Sequence, residues 1–390
     1  MKFIKCAVLF VLIQISFSAL AAGEKLYQLI DLEIAPTDQV SNWVTGINND
    51  GKICGTFACL DAFIKDDLQY CIFTWDPYYK LNYTDVVSIT PPMINNRGEV
   101  YGIRKIFQFS GTFEPEHYQQ SLYKWTHTDN FFDFLSFYHL GCPKTHPSSL
   151  SEENQLFTYG VNDYGHVLVT DQAPVLDRLA TKNEGAVFSD STIWLYDESL
   201  GYNLQNHRFY KINHPQLTFV TTINNNSHVL GGYYTSTNHI KPSIFDYVAK
   251  TLRSLDFPAD AIGYDLNDQD EIVGVYFNPQ TNSYEGFYLT LSGELISIPG
   301  FIPIAMNNNG QVIGKFMDGD KKDQPALWME GKLFDLADVV NRVDNKRTSW
   351  IIKTVVDIND KGDIIGNGRR GDANRSNISD EGFLLKRQAS

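Results

Sequence analysis

Ile47-Asn48-Asn49-Asp50-Gly51-Lys52-Ile53-Cys54-Gly55 decides the architecture, because the chain repeats this stretch seven times. The other copies begin at Asn95, Asn162, Asn224, Asn267, Asn307 and Asn359. Each runs apolar residue, Asn, two mostly polar residues, usually Gly, then a short β-type run with another Gly. The Asn side chain is suited to accept a hydrogen bond from the backbone N–H two residues on, which starts a turn. The next two residues fill a type I turn, and the following position needs a positive φ to close a three-residue hairpin. Gly stands there as Gly51, Gly98, Gly165, Gly310 and Gly362; Asp270 and Ser227 replace it in the other two copies. Seven tight hairpins are therefore expected.

A second Gly follows four residues later at Gly55, Gly102, Gly231, Gly274, Gly314 and Gly366, with Val169 as the exception. Inside a strand such a Gly signals close approach of a backbone or a large side chain. The alternative, that the turns bind Ca²⁺, has less support, because the EF-hand ligand order and its terminal Glu are absent. No metal site is expected, and Ca²⁺ is the one cofactor left open.

The spacings between successive turn Asn residues are 47, 67, 62, 43, 40 and 52. Self-similarity at this period points to one propeller or array rather than to the two or three domains that length alone suggests. Four short strands fit within each spacing, with period-2 apolar alternation and no competing helical periodicity. The seventh repeat stops at its third strand near Arg387, and Leu26-Tyr27-Gln28-Leu29-Ile30-Asp31-Leu32 reads like the missing fourth. An all-β fold follows: a closed seven-bladed β-propeller with four-stranded antiparallel blades, its last blade completed by the N-terminal strand.

Residues 1–21 read as a signal peptide, with Lys2 and Lys5, an apolar run from Ala7 to Phe17, and Ala19-Leu20-Ala21 as the cleavage site. Residues 22–390 then form one exported propeller domain, periplasmic or extracellular, expected as a monomer. Losing Lys2 and Lys5 moves the formal charge from −14 to −16. Such acidity, with no basic run, argues against a nucleic-acid partner. No later stretch is long and apolar enough for membrane insertion. Cys54, Cys59, Cys71 and Cys142 are the disulfide candidates in this compartment, with three full pairings open.

The Asn turn, an Ala-Phe-Leu-Trp-like third strand and an Asp-Leu ending of the fourth resemble bacterial HAF-type extracellular repeat proteins over nearly the whole mature chain. No copy carries His-Ala-Phe; the nearest are Glu285-Gly286-Phe287, Pro325-Ala326-Leu327 and Glu381-Gly382-Phe383. The resemblance implies a secreted repeat protein and supplies no catalytic residues.

Antiparallel strands put the tight turns on one face and the long links on the other, where ligands are expected. The segment 105–120 carries Phe107, Phe109, Phe113, Glu114, Glu116, His117 and Tyr118. One reading is a platform for a glycan, peptide or protein, aromatic faces packing and carboxylates hydrogen-bonding. The other is a loop anchored by its aromatics, and it carries more weight because aromatics pack throughout this chain. Asp318, Asp320 and Asp323 read as a hydrated acidic turn before a Ca²⁺ site. His139 and His146 flank Cys142 without a visible orienting partner. No sialidase box, nucleophile elbow or phosphate loop is present. A binding or scaffold module is thus the first expectation, and a secreted glycoside hydrolase or lyase with carboxylates near the channel the second.

Overall fold

The computed structural model describes residues 25–34, 41–60, 68–78, 80–108, 117–126, 137–141, 156–171, 192–200, 208–237, 239–257, 259–341, 349–371 and 380–388. They form a seven-bladed β-propeller. Blade 1 is built from Asn42–Ile47, Ile53–Leu60, Leu68–Asp76 and Lys80–Val87, inner to outer. Blade 4 is Phe219–Ile223, His228–Tyr234, Ile240–Asp246 and Thr251–Ser254. Blade 5 is Ala261–Leu266, Ile272–Asn278, Ser283–Leu289 and Leu295–Ile298. Blade 6 is Phe301–Met306, Val312–Phe316, Pro325–Met329 and Lys332–Asp335, and blade 7 opens with Ser349–Ile358, Ile364–Gly371 and Asp380–Arg387.

Ring closure follows the expectation drawn from the two chain ends. Tyr27–Asp31 pairs antiparallel with Asp380–Arg387, from Tyr27 opposite Arg387 to Asp31 opposite Phe383. The last blade then gains a fifth strand that the sequence did not suggest. After the short helix Leu336–Val339, Val340–Asn341 adds in parallel to Tyr27 and Gln28. This piece covers the outer edge of the closing strand, an edge that would otherwise present unpaired backbone groups.

The hydrophobic core is divided into slabs, one between each pair of blades. The second strand of each blade feeds both of its neighbours, because successive side chains point to opposite sheet faces. Ile53 packs toward blade 7 while Cys54 packs toward blade 2. Leu230 and Val229 divide in the same way between the seams on either side of blade 4. A strand buried on both faces reads as a continuous apolar run, as in Val167–Thr170, where all four residues are buried.

The glycines behave as their positions require. All five turn glycines have positive φ, from +71° at Gly310 to +84° at Gly51, and Ser227 and Asp270 hold the same conformation at 63° and 60°. The second glycine is excluded from bearing a Cβ by a neighbouring strand. At Gly55 such an atom would lie 2.2 Å from the Trp43 carbonyl oxygen and 2.5 Å from the Phe73 ring. The carbonyl approaches because the inner strand bulges there, its register shifting between Val44 and Gly46.

Blade 1's outer strand is Lys80–Val87 and blade 2's is Phe137–Gly141. Both blades have second and third strands prolonged into long hairpins, Ile53–Leu60 with Leu68–Asp76 and Glu99–Gln108 with His117–Thr126. Apolar alternation does not mark those extensions, which are held by backbone pairing. Cys54, one of the disulfide candidates, is a free buried thiol. It is sealed in the blade 1–2 seam, where it donates to the Pro92 carbonyl oxygen at 3.4 Å. Cys71 is disulfide-bonded, with its partner not among the described side chains. Residues 1–21 and Cys142 lie outside the described residues.

Candidate functional site

The repeated turns build the wall at one mouth of the channel. In every copy the Asn Oδ1 accepts two backbone N–H groups, from the residues two and four positions on: Asp50 and Lys52 for Asn48, Lys361 and Asp363 for Asn359. The Asn Nδ2 then reaches the next blade. Asn48 donates to the carbonyl oxygen of Asn95, Asn95 to that of Asn162, and Asn359 back to that of Asn48, at 3.3, 3.2 and 3.0 Å. At Asn267 the amide turns instead to Glu271 Oε2 at 2.8 Å.

A second circle is complete. The residue after each turn Asn donates its backbone N–H to the side-chain Oδ1 of its counterpart one blade on. The order is Asn49, Asn96, Asp163, Asn225, Asp268, Asn308, Asp360 and back to Asn49, with every bond between 2.7 and 2.9 Å. Only Asn or Asp has an acceptor at this reach, and only those two residue types occur there. That alternation-free Asx column was the readable signal, and a reading of the turn as a local motif overlooks it. Each link crosses a blade seam, so the circle fixes the blades' mutual registration.

Inside this rim lies a cavity of about 390 Å³ lined by the inner strands, including Thr45, Tyr159, Thr222, Tyr264, Asp265 and Asp357. Asp265 accepts from the N–H of Met306 on blade 6 at 2.8 Å and from Leu266 at 2.9 Å. Asp357 does the same with Ile47 on blade 1 at 3.0 Å and with Ile358 at 2.8 Å. Both carboxyls touch the channel yet sit deep in the ring, and desolvation dominates their ionisation. Asp265 is pushed up to about 7 and Asp357 to about 6; the backbone donors pull the other way, and for Asp265 the charge of Asp357 adds to the rise. Among the described residues no Arg, Lys or His lines this channel. The carboxyls are thus placed as clamps between blades, without a cation converging on them.

The long-link face carries two grooves. Between blades 1 and 2, Trp43 and Tyr70 stand edge to face with centroids 5.5 Å apart, beside Thr56, Ser88 and Thr90, in a groove of about 330 Å³. Between blades 4 and 5 a larger groove of about 550 Å³ is lined by Phe277, Pro279, Tyr284, Thr235, Thr237, His239, Lys241 and Asp260. Phe277 and Tyr284 meet edge to face at 5.6 Å, and Tyr284 is 42 % exposed. His239 Nδ1 lies 3.0 Å from Asp260 Oδ1, which also accepts the Ile240 N–H at 2.9 Å. Burial, reinforced by the Asp260 charge, raises the Tyr284 phenol, so it stays a hydrogen-bond donor. An aromatic wall, hydroxyls and both signs of charge give this groove the equipment for a polar, ring-shaped ligand.

The residues singled out from sequence are only partly brought together. Phe107, His117 and Tyr118 belong to paired strands rather than to a loop, Phe107 opposite Tyr118 and Gln108 opposite His117. Phe109, Phe113, Glu114 and Glu116 lie outside the described residues. Asp323, from the acidic turn, is held by Lys315 at 2.8 Å. The blade 4–5 groove escaped sequence reading because its residues come from three separate segments of ordinary composition. Only their shared position at strand ends of one face unites them.

No family model matches the chain, and no curated protein matches it. Among solved structures it is similar to the β-propeller domain of the trilobed protease from Pyrococcus furiosus, which has an open velcro topology. The identity is 11 %, the TM-score 0.54, and the match covers 93 % of this chain and 94 % of that one. It is also similar to the Pyrococcus horikoshii acylaminoacyl peptidase, at 10 % identity and a TM-score of 0.52, covering 90 % of this chain. This chain spans about half of that peptidase, 52 % of its length. At such identities the likeness is one of fold, and the fold shared is the β-propeller.

Proposed function

We propose that the protein is an exported propeller of the HAF-type extracellular repeat kind, a monomeric binding module that holds a glycan on its long-link face. The observation that carries this reading is the blade 4–5 groove, where Tyr284 and Phe277 offer aromatic surface beside the hydroxyls of Thr235 and Thr237 and the Asp260 carboxylate. Sugars are held by such pairings of ring faces with hydroxyl partners. The hydrolase or lyase reading has one observation behind it, the raised carboxyls of Asp265 and Asp357. Against it, each already accepts two backbone N–H groups.

A glycan array probed with the purified mature protein, followed by product analysis, separates the two. Binding without cleavage, weakened by Tyr284→Ala, is the expected result. Cleavage abolished by Asp265→Asn or Asp357→Asn would replace the binding module with the enzyme. Absence of any glycan binding would overturn both.

A further inference from the structure

The groove between blades 4 and 5 contains a cation that the binding reading does not yet use. Lys241 lines it, partly buried, and its Nζ donates to the carbonyl oxygen of Phe257 at 2.6 Å. An ammonium has three donors, and a carbonyl takes one. No carboxylate lies within ion-pair distance of Lys241 among the described residues, although the chain has 46 acidic residues against 32 Lys and Arg. The nearby Asp260 turns its Oδ1 to His239 and to the Ile240 N–H.

We infer that the blade 4–5 groove binds an anionic sugar, with Lys241 facing the acid group and Tyr284 packing on the ring. The inference rests on the glycan-binding reading and sharpens it. A protein this acidic repels polyanions at long range, so a local ammonium that makes no ion pair among the described residues selects an anion at one point only. The groove is shaped for more than a bare ion. Its volume falls within the roughly 300–1,000 Å³ of small-molecule sites. Its polar rim is also preset: Thr235 Oγ1 accepts the His239 N–H at 3.0 Å and lies 3.0 Å from Thr237 Oγ1. These bonds bring the two hydroxyls together at the rim, where sugar hydroxyls would meet them.

The acid group could be a uronate carboxylate or a sulfate ester; each offers the oxygen acceptors a Lys needs. The test is titration calorimetry of the mature protein with trigalacturonate, with its carboxyl-reduced neutral form, and with a sulfated trisaccharide. At least one anionic probe is expected to bind about tenfold more tightly than the neutral form, an advantage that shrinks as salt rises. Lys241→Gln should erase that advantage while leaving neutral-sugar affinity in place. Tyr284→Ala should weaken every sugar, and Tyr284→Phe, which keeps the ring, should not. Equal affinity for charged and neutral forms, or an advantage that survives Lys241→Gln, overturns the anionic assignment and leaves glycan binding standing. No binding of any sugar overturns both. Capture of an acidic peptide in place of all three sugars would also overturn the inference, reassigning the groove to polypeptide.

Discussion

The seam between blades 6 and 7 and the seam between blades 1 and 2 use the same turn chemistry and, among the described residues, very different cores. The first buries Tyr27, Trp350, Phe383, Leu385, Met329 and ten further apolar side chains in one slab of fifteen. The second, among the described residues, is a slab of five: Cys54, Ile72, Val100, Tyr123 and Trp125. Polar contacts take up more of its share, with the Thr45 hydroxyl on the Pro92 carbonyl oxygen at 2.6 Å and Ser88 Oγ 3.2 Å from Tyr123 OH. A groove also enters it from the long-link face. Since burial is the main favourable term, a repeated motif does not make repeated stability. The blade that must hold a strand from the other end of the chain has the heavy slab, and the light slab is where the ring is expected to open first.

Removing the chain through Asp31 tests the heavy seam most severely. The loss takes away Tyr27 and the whole closing strand, and the expected outcome is a chain without a cooperative thermal transition; melting like the protein that keeps this strand would refute closure. Next in size, Phe383→Ala should cost about 3–5 kcal/mol by denaturant titration, because its buried ring would leave a cavity in that slab. Hydrogen exchange sharpens the contrast: amides of Ile53–Leu60, in the blade that borders the thin slab, should exchange faster than those of Ile364–Gly371. Equal protection would mean that the thin slab is not a weak point. A smaller effect, on the order of 1–2 kcal/mol, is expected for Gly310→Val, which puts a branched side chain at φ +71° with Tyr288 Oη 3.0 Å from the new Cβ.

The pH response is the mildest and concerns both seams that the channel carboxyls span. Asp265 and Asp357 have folded-state values of about 7 and about 6, above the roughly 3.9 of an unfolded Asp. The folded protein therefore binds more protons between those limits, and stability falls as pH rises through 6 and 7. Because both groups line the channel rather than a closed core, each is expected to contribute on the order of 1 kcal/mol. Melting should thus be higher at pH 5 than at pH 8, and Asp357→Asn should flatten part of that slope. A melting temperature that climbs from pH 5 to 8 would contradict the assignment. Cys54 adds nothing in this range, because burial pushes its thiol up to about 12.

How much of this was legible beforehand depends on whether a feature is local. The turn Asn and its glycines are local, since a side chain meets its own backbone two and four residues on, and sequence reading recovers them. Closure was also legible, because Leu26–Leu32 has the pattern of the strand missing at the other end. The circle through Asn49, Asn96 and their counterparts was written in the sequence as an unbroken Asx column, but its meaning depends on neighbours 40 to 67 residues apart and, at the closing link, 311 apart. The parallel piece Val340–Asn341 is too short to have a pattern at all. The blade 4–5 groove was illegible for the same reason: Lys241, Asp260 and Tyr284 share no period and no motif.

Pairing Tyr27 with Arg387 also sets an order of events in time. These partners are separated by 387 − 27 = 360 residues, so the first described strand of the ring is the last to find its place. Closing a loop of that length carries an entropy cost that grows slowly with length but must be met before the contact repays it. Until then blade 7 presents Asp380–Arg387 as an open edge, a template for any other strand. A competing strand supplied in trans would have its best opportunity in this interval, and the folded ring, once sealed by Val340–Asn341, would no longer admit it.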